Sequence, residues 1–198
     1  MKIGWLVAIA TCLLVGGRAT LAQSPLAQTG TRVAEGTVGN QVLQLRYFDT
    51  SPLSSVDSSL IYGLLLSENR QFVASAAWMF DAKLPWSRLK LDVGAQGYLA
   101  WLATGTKTDV FAIAPGASLR YEVISSLGLS VFGSAYYSPG VLTFGSAHNL
   151  YDFTAGGEIR VFDRLYAMAG YRWFKYTLVN EPDERLVNEV FGGVRWQF

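Results

Sequence analysis

His148 is the single histidine of the chain, and Ser146, Asn149 and Asp152 lie close to it in sequence. A histidine near a serine and a carboxylate is the residue set of a hydrolase, in which imidazole takes the hydroxyl proton and the carboxylate orients the imidazole. No second histidine and no His-x-Ser pairing accompanies this group, so the simpler reading is a solvated loop residue. A metal centre has less support still. The only cysteine, Cys12, lies in the first stretch of the chain, which leaves carboxylates as the other ligands for one imidazole. No catalytic residue, metal ligand or cofactor site is assigned.

The charges carry more information. Arg46, Lys90, Arg120, Arg160, Arg172 and Arg195 each fall on the polar side of an alternating segment, and Asp92, Glu122, Glu158 and Glu189 share that side. Opposite signs in similar numbers predict pairing. If the segments are strands of a small barrel, these charges face its lumen. They then either line a narrow polar conduit or pair and fill it, since about eight strands leave an interior just wide enough for side chains.

The segments that hold them alternate with the period of a strand. The clearest is Leu89–Trp101. Leu89, Leu91, Val93, Ala95, Gly97, Leu99 and Trp101 make one face, while Lys90, Asp92, Gln96 and Tyr98 lie on the other. Similar segments are expected over Val42–Phe48, Ser59–Ser67, Phe72–Phe80, Val110–Val123, Leu127–Tyr137, Tyr151–Val161, Leu165–Phe174 and Val190–Phe198, with Thr31–Val38 as a weaker candidate. Ser59–Ser67 is apolar on both faces, so its facing is open. Pro115 lies inside one segment and cannot donate to a ladder, which suggests a bulge or a place near the rim. A cation facing lipid near the midplane costs about 2–4 kcal/mol, so six cations on the polar side specify the register. Short turns at Ser125-Ser126 and Asp163-Arg164 alternate with longer connections at 103–109, 138–149 and 179–185, as in outer-membrane barrels. Trp78, Trp101, Tyr137, Tyr171, Trp173 and Trp196 read as interfacial girdle.

Composition agrees. The chain of 198 residues is 51% hydrophobic and only 16% charged, where a soluble domain carries about 25% charged residues. A formal net charge of +1 gives no electrostatic case for nucleic acid. Beyond the leader, no run approaches the roughly 20 apolar residues of a membrane helix. Any crossing must therefore be made by strands closed into a barrel. Residues 1–22 read as a secretory signal: Lys2, an apolar core over Ile3–Val15, and a small-residue cleavage site at Thr20-Leu21-Ala22. The expected organisation is a signal peptide at 1–22, a lead with a candidate first strand at 23–40, and an outer-membrane β-barrel at 41–198.

The final stretch puts Val190, Gly192, Val194, Trp196 and Phe198 on one face. Val194, Trp196 and Phe198 resemble the terminal assembly signal of bacterial outer-membrane barrels. That resemblance implies periplasmic chaperones and the barrel-assembly machinery as partners, beside the outer-membrane lipids themselves. Further motifs are Tyr136-Tyr137-Ser138-Pro139, Ala155-Gly156-Gly157-Glu158-Ile159-Arg160 and Ala169-Gly170-Tyr171-Arg172-Trp173. Together they resemble the YfaZ-like family of outer-membrane proteins, most closely over residues 125–198. The resemblance implies location and fold, and supplies no catalytic residues.

The expectation is an all-β, closed antiparallel transmembrane β-barrel in the bacterial outer membrane, of ten strands in preference to eight. Its expected role is structural, interactive or in minor transport, without catalysis and with no small-molecule substrate assigned. The alternatives are a narrow pore for small polar solutes, a lipid-modifying outer-membrane enzyme, and a soluble lipocalin-like barrel with its apolar face inward.

Overall fold

A computed structural model describes residues 32–50, 57–68, 71–102, 108–178 and 184–198. The proposed leader at 1–22 and its cleavage site lie outside these residues. Ten long strands form the wall: β1 (Arg32–Gly39), β2 (Val42–Asp49), β3 (Ser58–Ser67), β4 (Phe72–Asp81), β5 (Leu89–Leu102), β6 (Thr108–Ile124), β7 (Leu129–Ser138), β9 (Ala147–Phe162), β10 (Leu165–Leu178) and β11 (Glu184–Gln197). A short β8 (Thr143–Gly145) lies in the connection between β7 and β9 and pairs with β6. Each wall strand pairs antiparallel with its neighbours in sequence, and β11 closes on β1 from Val33↔Gln197 to Gly39↔Phe191. Arg32 and Phe198 add backbone bonds at that join, with Phe198 N–H donating to Arg32 O at 3.0 Å. The barrel has ten strands, and its wall begins at Arg32 rather than at residue 41.

Closure follows from the pleat. With lipid outside and packed side chains inside, alternation puts Leu99, Trp101, Ile113, Leu119, Phe153, Val194 and Trp196 on the exposed outer face. Facing aromatics collect at both rims. Trp78–Phe80 and Trp196–Phe198 lie toward the end that holds the outer ends of β1 and β11, here the terminal end. Phe72–Trp101 and the run Tyr137–Tyr151–Trp173 lie toward the far end. These are the two girdles expected of a membrane barrel.

Four expectations need correction. β9 starts at Ala147 and β11 at Glu184, so both run further into their connections than the sequence suggested. The turn after β6 is a short 3-10 turn over Ser125–Leu127, and β7 starts only at Leu129. Pro115 forms no bulge with β5, where it pairs with Ala95 in unbroken register. The loop asymmetry holds only for the C-terminal half. The β1–β2 connection, 40–41, is the shortest at the far end, and the long 50–57 connection sits at the terminal end.

The inner face resolves the ambiguity of β3. Ser59, Ile61 and Leu65 are buried, while Tyr62, Leu64 and Leu66 face out. Both faces are apolar there because the far half of the lumen is itself an apolar core.

Glycines set how closely the strands curl. Gly156 and Gly170 face each other across β9 and β10, with the Phe132 ring over one and the Phe191 ring over the other. A Cβ on Gly156 would lie 2.5 Å from Ala169 O and 2.7 Å from Phe132 Cζ. The carbonyl is backbone and cannot swing aside. Gly156→Ala should therefore lower stability by about 1–3 kcal/mol, the usual cost of overpacking. Urea unfolding in lipid, followed by heat-dependent gel mobility, measures this. An unchanged midpoint would mean the strands can spread at no cost.

Candidate functional site

The lumen holds two polar clusters at different heights. The lower one, toward the terminal end, is built on Glu35 of β1 and Glu158 of β9, both almost fully buried. Arg195 of β11 bridges them. Its Nε is 3.5 Å from Glu35 Oε1, and its Nη1 donates to Glu158 Oε1 and Oε2 at 2.9 and 3.1 Å. Arg120 of β6 also donates to Glu158, and Arg46 of β2 lies 3.9 Å from Glu35. Each guanidinium is backed by a ring: Arg46 by Phe48, Arg120 by Phe132 and Arg195 by Tyr166. Five charges from five strands thus cross the barrel as a girder. The charged-group desolvation is offset by mutual attraction only because the geometry is shared.

Beside this cluster, Glu35, Thr37, Gln44, Arg46, Phe132, Thr154, Met168 and Phe191 leave a cavity of about 10 Å3, at the limit of one water molecule. Side chains therefore close in on the charges at that point of the lumen.

The upper cluster is smaller and drier. Asp152 of β9 accepts from Arg172 Nε at 3.2 Å and Nη2 at 2.7 Å, and from the Tyr98 hydroxyl at 2.9 Å. All three residues are buried. Arg172 Nη1 and the Tyr176 hydroxyl have no hydrogen-bond partner. Around and above them Phe174, Tyr176, Tyr136, Met79, Leu150, Val110, Ala112 and Leu186 form the apolar core. A membrane barrel interior is ordinarily polar, so an apolar far half is a particular property of this chain.

Of the residues singled out in sequence, Arg46, Arg120, Glu158 and Arg195 come together, while Arg172 belongs to the upper cluster. Lys90 and Asp92 form a separate pair at 3.5 Å, with the Ser118 hydroxyl 3.4 Å from Asp92. Glu122 faces inward at the terminal rim, outside both clusters. Arg160 is spent on a turn, donating to Ser125 O and Ser126 O at 3.2 Å. Glu189 accepts from Gln41 N–H at 2.9 Å and so caps the β1–β2 turn. Val194, Trp196 and Phe198 face outward, and the Phe198 ring packs on Trp196 and Tyr47.

Two central residues were missed. Glu35 sat on the weakest candidate strand. Asp152 lies close to His148 in sequence, yet it shares the polar face of β9 with Glu158. The hydrolase grouping is not assembled. Asp152 points into the lumen against Arg172, while His148 is exposed at the far rim with its ring against Gly140. Among the described residues, no group of His, Cys, Asp and Glu is arranged to hold a metal ion.

A family model described as YfaZ precursor matches residues 56–198, further toward the N-terminus than the motifs that carried the resemblance. No curated protein matches the chain. Among solved structures, a bacterial polysaccharide outer membrane secretin is similar at TM-score 0.50 and 12% identity, over 85% of this chain and 64% of that one. The outer membrane channel DcaP of Acinetobacter baumannii is similar at TM-score 0.43 and 8% identity, over 86% of this chain and 59% of that one. This chain thus spans less than two-thirds of either protein's length, and the likeness to the first concerns the fold alone.

Proposed function

The chain belongs to the YfaZ precursor family and is an exported outer-membrane β-barrel protein, and from that premise we propose that it works as a filled barrel in a structural or interaction role. The observation that carries this reading is the lumen itself. An ionic girder spans the terminal half and an apolar core packs the far half, so a hydrated ion travelling along the axis meets two barriers in series. Among the described residues, no grouping of nucleophile, base and acid faces a cleft, which favours a non-catalytic role. Lipids of the outer membrane are its solvent. Periplasmic chaperones and the barrel-assembly machinery are its proposed partners during insertion, engaged through the outward face of β11 with Val194, Trp196 and Phe198.

The test is a planar bilayer recording from pure refolded protein. The expected trace is flat up to the voltage at which the bilayer itself breaks down. Discrete, reproducible conductance steps would replace the filled barrel with the narrow-pore reading.

A further inference from the structure

The wall is not zippered everywhere. The β6–β7 ladder runs from Ile124↔Leu129 only as far as Gly116↔Tyr136. Beyond it β7 continues on β9 to Ser138↔Leu150, while β6 takes β8 as partner at Ala112↔Thr143. Ile113, Ala114 and Pro115 therefore have no ladder partner on that side. An unpaired backbone group costs several kcal/mol in hydrocarbon, and Pro115, having no N–H, lowers that cost at the break. On the other side of the break stands Pro139, the residue after β7.

Side-chain hydroxyls close the seam where a ladder would otherwise do so. Ser138 Oγ and Thr143 Oγ1 are 2.8 Å apart, and the Thr143 hydroxyl also lies 3.4 Å from Ser138 O and 3.1 Å from Pro139 O. The segment 139–145 is thus a wedge held by few bonds. Outside and just below the seam runs a groove of about 380 Å3, walled by Leu119, Phe153 and Tyr171 and floored by Gly133, Ala135 and Ala155. Inside lies the apolar half of the lumen. The ring of Tyr136 lies over Gly116, where a Cβ would clash with it, and among the described residues its hydroxyl reaches only Met79 Sδ at 3.7 Å. A weakly tethered ring and an unbranched thioether are side chains that can move aside.

We propose that this seam is a lateral portal, through which one acyl chain of a membrane lipid passes from the outer groove into the apolar half of the lumen, displacing Tyr136 and Met79. The occupant follows from position. The groove and seam open onto the hydrocarbon between the two aromatic girdles, where acyl chains are the available apolar ligand. The portal rests on the membrane location and not on the filled lumen. Ion conductance would overturn the filled-barrel reading and leave the portal standing.

The experiment reconstitutes Ser138→Cys/Thr143→Cys protein in vesicles that contain a phosphatidylcholine with a photoreactive group at the end of one acyl chain. The two hydroxyls are close enough for a disulfide to replace their contact with small adjustment. Heat-dependent gel mobility in both redox states shows that the barrel is folded. Reduced protein should carry label on Met79, Tyr136 or Leu150. Oxidation should abolish that label, leave label on Leu119 and Phe153, and be reversed by reductant. Thr143→Val, which removes the tethers without a crosslink, should raise the lumen label. Label confined to the outer face in every variant, or lumen label indifferent to oxidation, overturns the portal.

Discussion

Asp152→Ala should be among the most damaging single substitutions in the barrel. Arg172 would lose its bonds to both Asp152 oxygens, Tyr98 would lose its one acceptor among the described residues, and Arg172 Nη1 has no partner to begin with. The Arg172 side chain is 8% exposed and stands in a layer with Phe174, whose ring lies 5.4 Å from the guanidinium carbon. Water cannot replace the carboxylate there without opening the core. Removing one partner of a buried pair costs about 3–5 kcal/mol, mostly through the charge left behind. Asp152→Asn, which keeps an acceptor for Tyr98, should fall between. Asp152→Ala/Arg172→Met removes both charges and should recover most of the loss, because an apolar replacement of a buried pair is often neutral or better. Urea unfolding in lipid, read by heat-dependent mobility, orders the four proteins. Asp152→Ala unfolding at the wild-type midpoint, or a double variant as weak as the single one, would show that the upper cluster is hydrated and energetically minor.

Asp152 and Glu158 share one face of β9 but belong to different clusters, which marks what a barrel sequence can convey. Alternation states which face a residue takes, since lipid tolerates only apolar side chains on one side. That is why the Leu89–Trp101 pattern matches β5 almost to its ends, and why alternation puts Arg46, Arg120, Arg172 and Arg195 on the polar side of their strands. Alternation says nothing of height. Glu158 and Arg160 share a face of β9, yet two residues of rise separate a girder carboxylate from a guanidinium that caps the carbonyls of the β6–β7 turn. Glu189 likewise faces inward but meets the β1–β2 turn. Height depends on register across all ten strands, which no single segment contains. The seam was hidden for a related reason. Pro115 is visible in the sequence, but the partner change from β7 to β8 depends on β8, three residues long within the 138–149 connection. The ambiguity of Ser59–Ser67 was itself a signal. A strand apolar on both faces in a membrane barrel reports an apolar lumen at that height.

Glu158→Ala tests whether the two lumenal layers act separately. The change takes an acceptor from Arg120 and from Arg195, but the losses are unequal. Arg195 keeps Glu35 at 3.5 Å, whereas Arg120 keeps only the more distant field of Glu35 and faces Lys90 across the β5–β6 ladder. The Arg120 side chain is 29% exposed, so water and anions reach it. The expected loss is therefore about 2–4 kcal/mol, below that of a fully buried broken pair. Added chloride should restore part of it, since an anion can screen Arg120 from its like-charged neighbours. Conductance should nevertheless stay absent. Opening the lower girder leaves Tyr136, Phe174, Tyr176 and Leu150 across the axis, and an apolar layer of that thickness passes no hydrated ion. A variant that unfolds at lower urea, gains from chloride and remains silent in the bilayer places the ion seal in the apolar half and gives the girder the task of holding five strands together. A variant that conducts would put the seal in the ionic girder instead. The far half would then be a loose packing of side chains, already open to whatever the lower lumen admits.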